Sequence, residues 1–234
     1  FALDKGWYGL ENLVKIPGSV GAAPIQNIGA YGAEVADFIE YVSVWDDLGQ
    51  ERTLSREDCH FGYRSSIFQR DNELTVASVG LRLGKTARPN VSYPDVGNAL
   101  NGHRESSITP EMVASKISEI RAAKLPDPKT HPNVGSFFKN PVLDEVDAER
   151  LRELGLRIFP QDIGSKVSAA ELIDRAGCKD LRDEYVYCWP KQPLVLINKS
   201  AISSSEVMAF SEKVRSRVLE EFKVRLNYEP KFFE

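Results

Sequence analysis

Between Lys15 and Glu34 the chain reads IPGSVGAAPIQNIGAYGA, without a single charged side chain. This run constrains the fold more than any other. A membrane helix takes roughly 20 mostly apolar residues, but Pro17, Pro24, four glycines, Gln26 and Asn27 interrupt this stretch. Proline removes a backbone donor and obstructs a helix, and glycine weakens one. The run is therefore a loop-rich segment and not a span. Small residues let backbone N–H groups come close to a ligand, and a series of them can cradle a diphosphate. Neither G-x-G-x-x-G nor the P-loop pattern occurs here. From spacing alone a tightly packed turn is the better reading, with a ligand loop as the alternative.

The 234 residues suffice for one large domain or two small ones. A formal net charge of −4 points away from nucleic acid and from membrane surfaces as partners. Cys59, Cys178 and Cys188 lie far apart, with no C-x-x-C. That usage fits a reducing compartment, so a cytoplasmic location is expected. His60, His103 and His131 are equally scattered, and no metal site is expected. The first residue is Phe1, so a signal peptide stays open from this end.

The expected class is α+β. Tyr41–Trp45 is β-rich and runs into a turn at Asp46–Gly49. Over 74–83 the alternation puts Thr75, Ala77, Val79, Leu81 and Leu83 on one face. Thr109 and Pro110 open a helix with Val113, Ile117 and Ile120 as its stripe, ended by Pro126 and Pro128. Beyond residue 124 short helices dominate. Ser168-x-x-Glu171 and Ser203-x-x-Glu206 are capping boxes, and Gly177 suits a helix C-terminus. Leu194–Ile197 reads as a buried strand. These patterns divide the chain into residues 1–124, residues 125–223 and a C-terminal tail, 224–234.

Three further motifs carry polar groups. In CHFGYRSS, Cys59 and His60 are sequence neighbours, which point apart in a strand and argue against a dyad. Arg64 offers a fork suited to carboxylate or phosphate, against the plain reading of a surface arginine. In VGSFFKNP (134–141) Ser136 lacks a G-x-S-x-G elbow and an obvious base. It can instead donate a proton, or be a loop serine anchored by two buried aromatics. In NYEP (227–230) Glu229 is held extended by the following proline. It reads as an acid or as part of a solvated tail.

Taken together the chain resembles the UDP-N-acetylenolpyruvoylglucosamine reductase (MurB) family. The matching strings are GLENLVKIPGSVGAAPIQNIGAYG (9–32), FGYRSSIF (61–68), KLPDPK (124–129), GSFFKNP (135–141), FPQ (159–161), QPLVLIN (192–198) and EP (229–230). They follow the family's order along almost the whole chain. The resemblance implies a flavoenzyme of peptidoglycan precursor synthesis that uses FAD and NADPH and acts as a monomer on a UDP-sugar. It implies the remainder of an α+β flavin-binding domain at 1–124, then a smaller α+β domain that binds the UDP-sugar at 125–223. By resemblance Ser136 gives a proton, Arg64 holds the substrate carboxylate and Glu229 assists enol formation. Gly21, Ala22, Ile25, Gly29 and Ala30 fall in the flavin-contacting loop. Tyr93 covers the sugar in the subtype with an added loop, and Lys124, Asn140 and Gln192 meet diphosphate and uridine.

Departures exist. Ala170-Glu171 replaces a common Gly-Trp, and Trp189 replaces a common histidine. Only eight residues precede Gly9, where the family carries an N-terminal domain with a Gly-rich phosphate loop. The expectation is a C-terminal portion with an incomplete flavin site and doubtful activity by itself. A non-catalytic UDP-sugar binding module and an unrelated serine hydrolase are the alternatives.

Overall fold

The computed structural model describes every residue except 71–72, 162, 200–202 and 233–234. The chain forms two compact units, Phe1–Ala123 and Lys124–Glu234.

In the first unit, 3₁₀ turns at Glu11–Leu13 and Val20–Ala22 lead to a short antiparallel pair, β1 (Gly29–Ala30) and β2 (Ala33–Glu34). The uncharged run thus folds as turns and a tight hairpin, as its prolines and glycines require. The main sheet is antiparallel in the order β4–β3–β5, built from β3 (Ile39–Trp45), β4 (Glu51–Ser55) and β5 (Thr75–Leu81). Val42 and Val44 of β3 are fully buried, with Ile39, Leu54, Cys59 and Phe68 around them.

β5 departs from its sequence alternation. Thr75 and Ala77 are exposed, while Val76, Val79 and Leu81 pack on the core. Pairing jumps from Ser43↔Ser78 to Val44↔Val76, leaving Ala77 as an extra residue. A bulge exchanges the inward and outward faces on one side of it, and simple alternation cannot announce that.

Two helices complete the unit, α1 (Pro94–Ala99) and α2 (Pro110–Lys124). Val96 and Leu100 are buried with Val113 and Ile117 of α2 in a separate small cluster. Thr109 Oγ1 accepts the Met112 N–H at 3.3 Å and so closes the first turn of α2.

The second unit runs β6 (Val142–Leu143), α3 (Glu145–Glu153), β7 (Ile158–Pro160), β8 (Ser165–Val167), α4 (Ala169–Arg175), β9 (Val186–Trp189), β10 (Gln192–Asn198) and α5 (Ser204–Phe222). β6, β8 and β7 form an antiparallel sheet in that order, and β9 and β10 pair as an antiparallel hairpin. Phe210, Val214, Val218 and Phe222 recur every four residues on α5 and are all buried. Burial of each such side chain stabilises by about 1.5–3 kcal/mol. They meet Leu151, Leu172, Ile173 and Phe138 in one core, which Val224 and Leu226 of the C-terminal segment also enter.

The two capping boxes behave differently. Ser168 Oγ accepts the Glu171 N–H at 3.3 Å, and Gly177 takes φ 68° just beyond α4. At α5 the Ser203 side chain caps no backbone N–H; its hydroxyl donates to Glu206 Oε2 at 2.6 Å. Among the described residues no helix is long and apolar enough to cross a membrane.

Candidate active site

In the first unit the small-residue loop is fixed by side chains from FGYRSSIF. Ser66, fully buried, donates its hydroxyl to the Ile25 carbonyl at 2.6 Å. Asn27 is 1% exposed and sits in the left-handed region, φ 45°. Its Nδ2 donates to Glu34 Oε2 at 2.7 Å and to the Gly62 carbonyl at 3.1 Å, and its Oδ1 accepts the Ala36 N–H at 3.0 Å. One side chain therefore joins the loop, β2 and the Arg64 turn.

Arg64 also lies in the left-handed region, φ 50°, a conformation that costs a non-glycine residue about 1–2 kcal/mol. Its Nη2 donates to the Gly29 carbonyl at 2.5 Å. Nη1 stands 3.8 Å from Glu34 Oε1, and the guanidinium lies 5.1 Å from the Tyr63 ring centre. A Cβ at Gly29 would come within 2.9 Å of Arg64 Nη1. Glycine there admits the guanidinium, so Gly29 and Arg64 are one feature. Ala30, the next residue of β1, pairs with Ala33.

Gly21 and Ala22 lie in the 3₁₀ turn that Ser19 caps, its Oγ accepting the Ala22 N–H at 3.3 Å. Gln26 Oε1 is buried without a hydrogen-bond partner among the described residues. Buried acceptors are normally satisfied, so Gln26 Oε1 is an acceptor suited to a ligand donor. Tyr93 immediately precedes α1 and meets Tyr31 edge to face at 5.3 Å. Asn12, 1% exposed, spends both Nδ2 hydrogens holding the two segments together, on the Tyr31 carbonyl at 2.8 Å and the Asn90 carbonyl at 3.0 Å.

In the second unit Gly135 takes φ 77° and turns the chain into Ser136. Ser136 bridges Val195 of β10, and the Phe137 N–H donates to the Leu194 carbonyl at 2.8 Å. On the other side the Lys139 N–H donates to the Asn227 carbonyl at 2.8 Å and the Glu229 N–H to the Phe137 carbonyl at 3.0 Å. SFFK is thus an extended segment bridged to β10 on one side and to Tyr228 on the other, and it brings the Ser136 and Glu229 segments side by side. Phe137 and Phe138 are buried, as the aromatic pair demands. Ser136 is half-buried, and its Oγ has no hydrogen-bond partner among the described residues. His131 is engaged elsewhere: Nδ1 lies 3.0 Å from Thr130 Oγ1 and its ring meets Trp189 at 4.9 Å. A serine nucleophile would need that base.

Lys124, Trp189 and Gln192 come together. Trp189 Nε1 donates to the Lys124 carbonyl at 2.9 Å, and Gln192 faces Trp189 across the hairpin. Asn140 Oδ1 accepts the Ala169 N–H at 2.9 Å at the start of α4, which leaves the amide Nδ2 as its donor group. Glu171 pairs with Arg175 at 3.1 Å and with Arg157 at 3.9 Å. The two positions that depart from the family pattern thus have structural roles. Arg64 belongs to the first unit, and Ser136 and Glu229 to the second.

Ser136, Arg64 and the small-residue loop are among the residues that the resemblance names. Family signatures match the C-terminal domain of UDP-N-acetylenolpyruvoylglucosamine reductase at residues 127–233 and an FAD binding domain at residues 1–55. The UDP-N-acetylenolpyruvoylglucosamine reductase of Dechloromonas aromatica is 40% identical over 99% of this chain and 72% of its own length. The chain belongs to the UDP-N-acetylenolpyruvoylglucosamine reductase family. The reductase of Chromobacterium violaceum is 42% identical over 98% of the chain and 69% of that protein. The crystal structure of the Thermus caldophilus MurB has a TM-score of 0.61 and 26% identity, covering 98% of this chain and 66% of that one.

Within the MurB family frame, the loop's chemistry fits FAD. Small residues keep backbone accessible, and Gln26 Oε1 can accept from a ring N–H. Sequence reasoning missed Glu34, Asn12, Asn27 and Trp189 as organising residues. All four lie in or beside the quoted motifs, but none carries a signature of its own. Their importance comes from which carbonyl or guanidinium they reach.

Proposed function

We propose that the chain supplies the Arg64, Ser136 and Glu229 machinery of an FAD- and NADPH-dependent reductase. It converts the enolpyruvyl ether of UDP-N-acetylglucosamine to the lactyl ether of UDP-N-acetylmuramate, as a cytoplasmic monomer in peptidoglycan precursor synthesis. The observation that carries this reading is Ser136: a half-buried hydroxyl, without a hydrogen-bond partner among the described residues, on the segment beside Glu229. FAD, when bound, would supply a hydride, taken from NADPH, to one carbon of the enolpyruvyl double bond. The other carbon then holds carbanion character delocalised into the carboxylate.

Each residue answers one demand of that charge. The Arg64 guanidinium binds the carboxylate as negative charge builds on it, a stabilisation that strengthens toward the transition state. Ser136 Oγ gives its proton to the carbanion carbon, which requires a donor and no neighbouring base. Glu229 stabilises the enol on the carboxylate side. Gly21, Ala22, Ile25, Gly29 and Ala30 would line the flavin, and Gln26 Oε1 would accept a hydrogen bond from it. Tyr93 covers the sugar, and Lys124, Asn140 and Gln192 hold diphosphate and uridine.

The test separates the two half-reactions in flavin-loaded protein. With Ser136→Ala, NADPH still bleaches the flavin absorbance while turnover of the enolpyruvyl substrate is lost. Equal loss of both half-reactions would remove Ser136 from the role of proton donor.

A further inference from the structure

The segment that carries Glu229 is held to α5 by side chains centred on Arg215. Arg215 is 13% exposed, and its Nε donates to the Leu226 carbonyl at 3.0 Å. Nη1 donates to Tyr228 Oη at 3.1 Å and to Glu212, and the guanidinium lies 4.6 Å from the centre of the Tyr228 ring. The Tyr228 hydroxyl donates to Glu212 and lies 3.1 Å from Ser211 Oγ. That hydroxyl, and then Arg215, hold the Glu212 carboxyl below the usual carboxylate range. The ring of Tyr228 stacks on Phe138 at 5.7 Å and 25° and meets Phe137 edge-on at 5.7 Å. Tyr228 is therefore gripped at its hydroxyl by α5 and at its ring by the two residues that follow Ser136.

We propose that Arg215 and Tyr228 are positioning residues that fix the register of Glu229 against Ser136. The chain of contacts is continuous: Arg215 to Tyr228, Tyr228 to Phe137 and Phe138, and the Glu229 N–H to the Phe137 carbonyl. The segment around Tyr228 joins Phe138 only through an isolated bridge, so it has little backbone pairing of its own. The guanidinium holds it at both Leu226 and Tyr228, on either side of Asn227, and so removes the freedom to slide or swing. Without that clamp Glu229 samples positions away from the reacting carbon, and displacements near 1 Å are enough to cost about 10²-fold in rate. The proposal rests on the catalytic reading of Ser136 and Glu229 given above.

The experiment uses flavin-loaded protein and four variants: Arg215→Gln, Tyr228→Phe, Ser136→Ala and Glu229→Gln. Arg215→Gln and Tyr228→Phe are expected to lower kcat for enolpyruvyl reduction by about 10- to 100-fold with KM changed far less. NADPH-driven flavin bleaching keeps its normal rate in both. Wild-type kcat in both variants overturns the proposal, as does an effect confined to KM or a parallel loss of flavin reduction. Tyr228→Phe keeps the stacked ring, so it decides the matter if Arg215→Gln does not fold. If Ser136→Ala and Glu229→Gln retain full turnover, the catalytic reading itself falls. If those two lose turnover while Arg215→Gln and Tyr228→Phe do not, only the clamp falls.

Discussion

Glu229 donates its backbone N–H to the carbonyl of Phe137 at 3.0 Å, so the segment that carries it lies against the residue next to Ser136. The aromatic rings below this pair of segments are what make it rigid. Phe138 is fully buried in the second core and stacked on Tyr228. Phe138→Ala is expected to cost about 3–5 kcal/mol by leaving a cavity that the two segments cannot collapse into. Urea unfolding followed by tryptophan fluorescence measures it. A loss below about 1 kcal/mol would mean that the stack is not a support for the site.

Glu34 and Arg64 give a second prediction, in which function responds more than stability. The carboxylate is over a third exposed and its oxygen stands 3.8 Å from Nη1. Such a pair contributes at most about 1 kcal/mol to folding. Its effect lies in where it holds the guanidinium. Glu34→Gln should leave the unfolding midpoint almost unchanged and raise KM for the enolpyruvyl substrate. Arg64→Lys keeps the charge but loses the fork, and kcat should fall by about 10²-fold. Steady-state kinetics beside a urea curve tests both. A variant of Glu34 that loses stability without any kinetic change contradicts this assignment.

How much of this was legible beforehand follows the range of each interaction. The Val113 and Ile117 stripe of α2, the Ser168 cap and the buried strand at Leu194–Ile197 were readable because each depends on neighbours within a turn or a strand. The facing of β5 was not, because the bulge at Ala77 is set by the pairing of β3. The same division runs through the site. Ser136 and Arg64 stand in strings long enough to resemble a family, whereas Glu229 stands in a match of two residues, EP. Asn12 and Trp189 act by reaching the carbonyls of Asn90 and Lys124, 78 and 65 residues away. Such partners are fixed by tertiary folding, and no periodicity encodes them.

Gly135 offers a purely backbone test. It adopts φ 77°, and a Cβ added there meets nothing within 4 Å. Any penalty of substitution therefore comes from the left-handed conformation and not from a clash. Gly135→Ala should destabilise by about 1–2 kcal/mol, and Gly135→Asn by less, since asparagine tolerates this region. Because Ser136 is the next residue, kcat should fall in the same order. Thermal melts together with turnover check the ranking, and equal behaviour of Ala and Asn would exclude the backbone explanation.

The three cysteines make the last prediction, on alkaline stability. Cys59, Cys178 and Cys188 are buried and unpaired. Burial pushes the Cys59 thiol up to about 11 and the Cys188 thiol to about 12, from an ordinary value of 9.0, and raises Cys178 as well. Native protein at pH 8 should therefore leave a thiol reagent unconsumed, and denatured protein should titrate all three cysteines. Above pH 9.0 an unfolded chain releases these protons while the folded chain retains them. The folded state then binds more protons, and stability must fall as pH rises. Each thiol contributes a slope of at most about 1.4 kcal/mol per pH unit until its folded value is reached. Urea midpoints taken from neutral pH upward should drop beyond pH 9.0, and Cys188→Ala should flatten the decline. An identical slope in wild type and Cys188→Ala would show that the Cys188 thiol does not ionise differently in the two states.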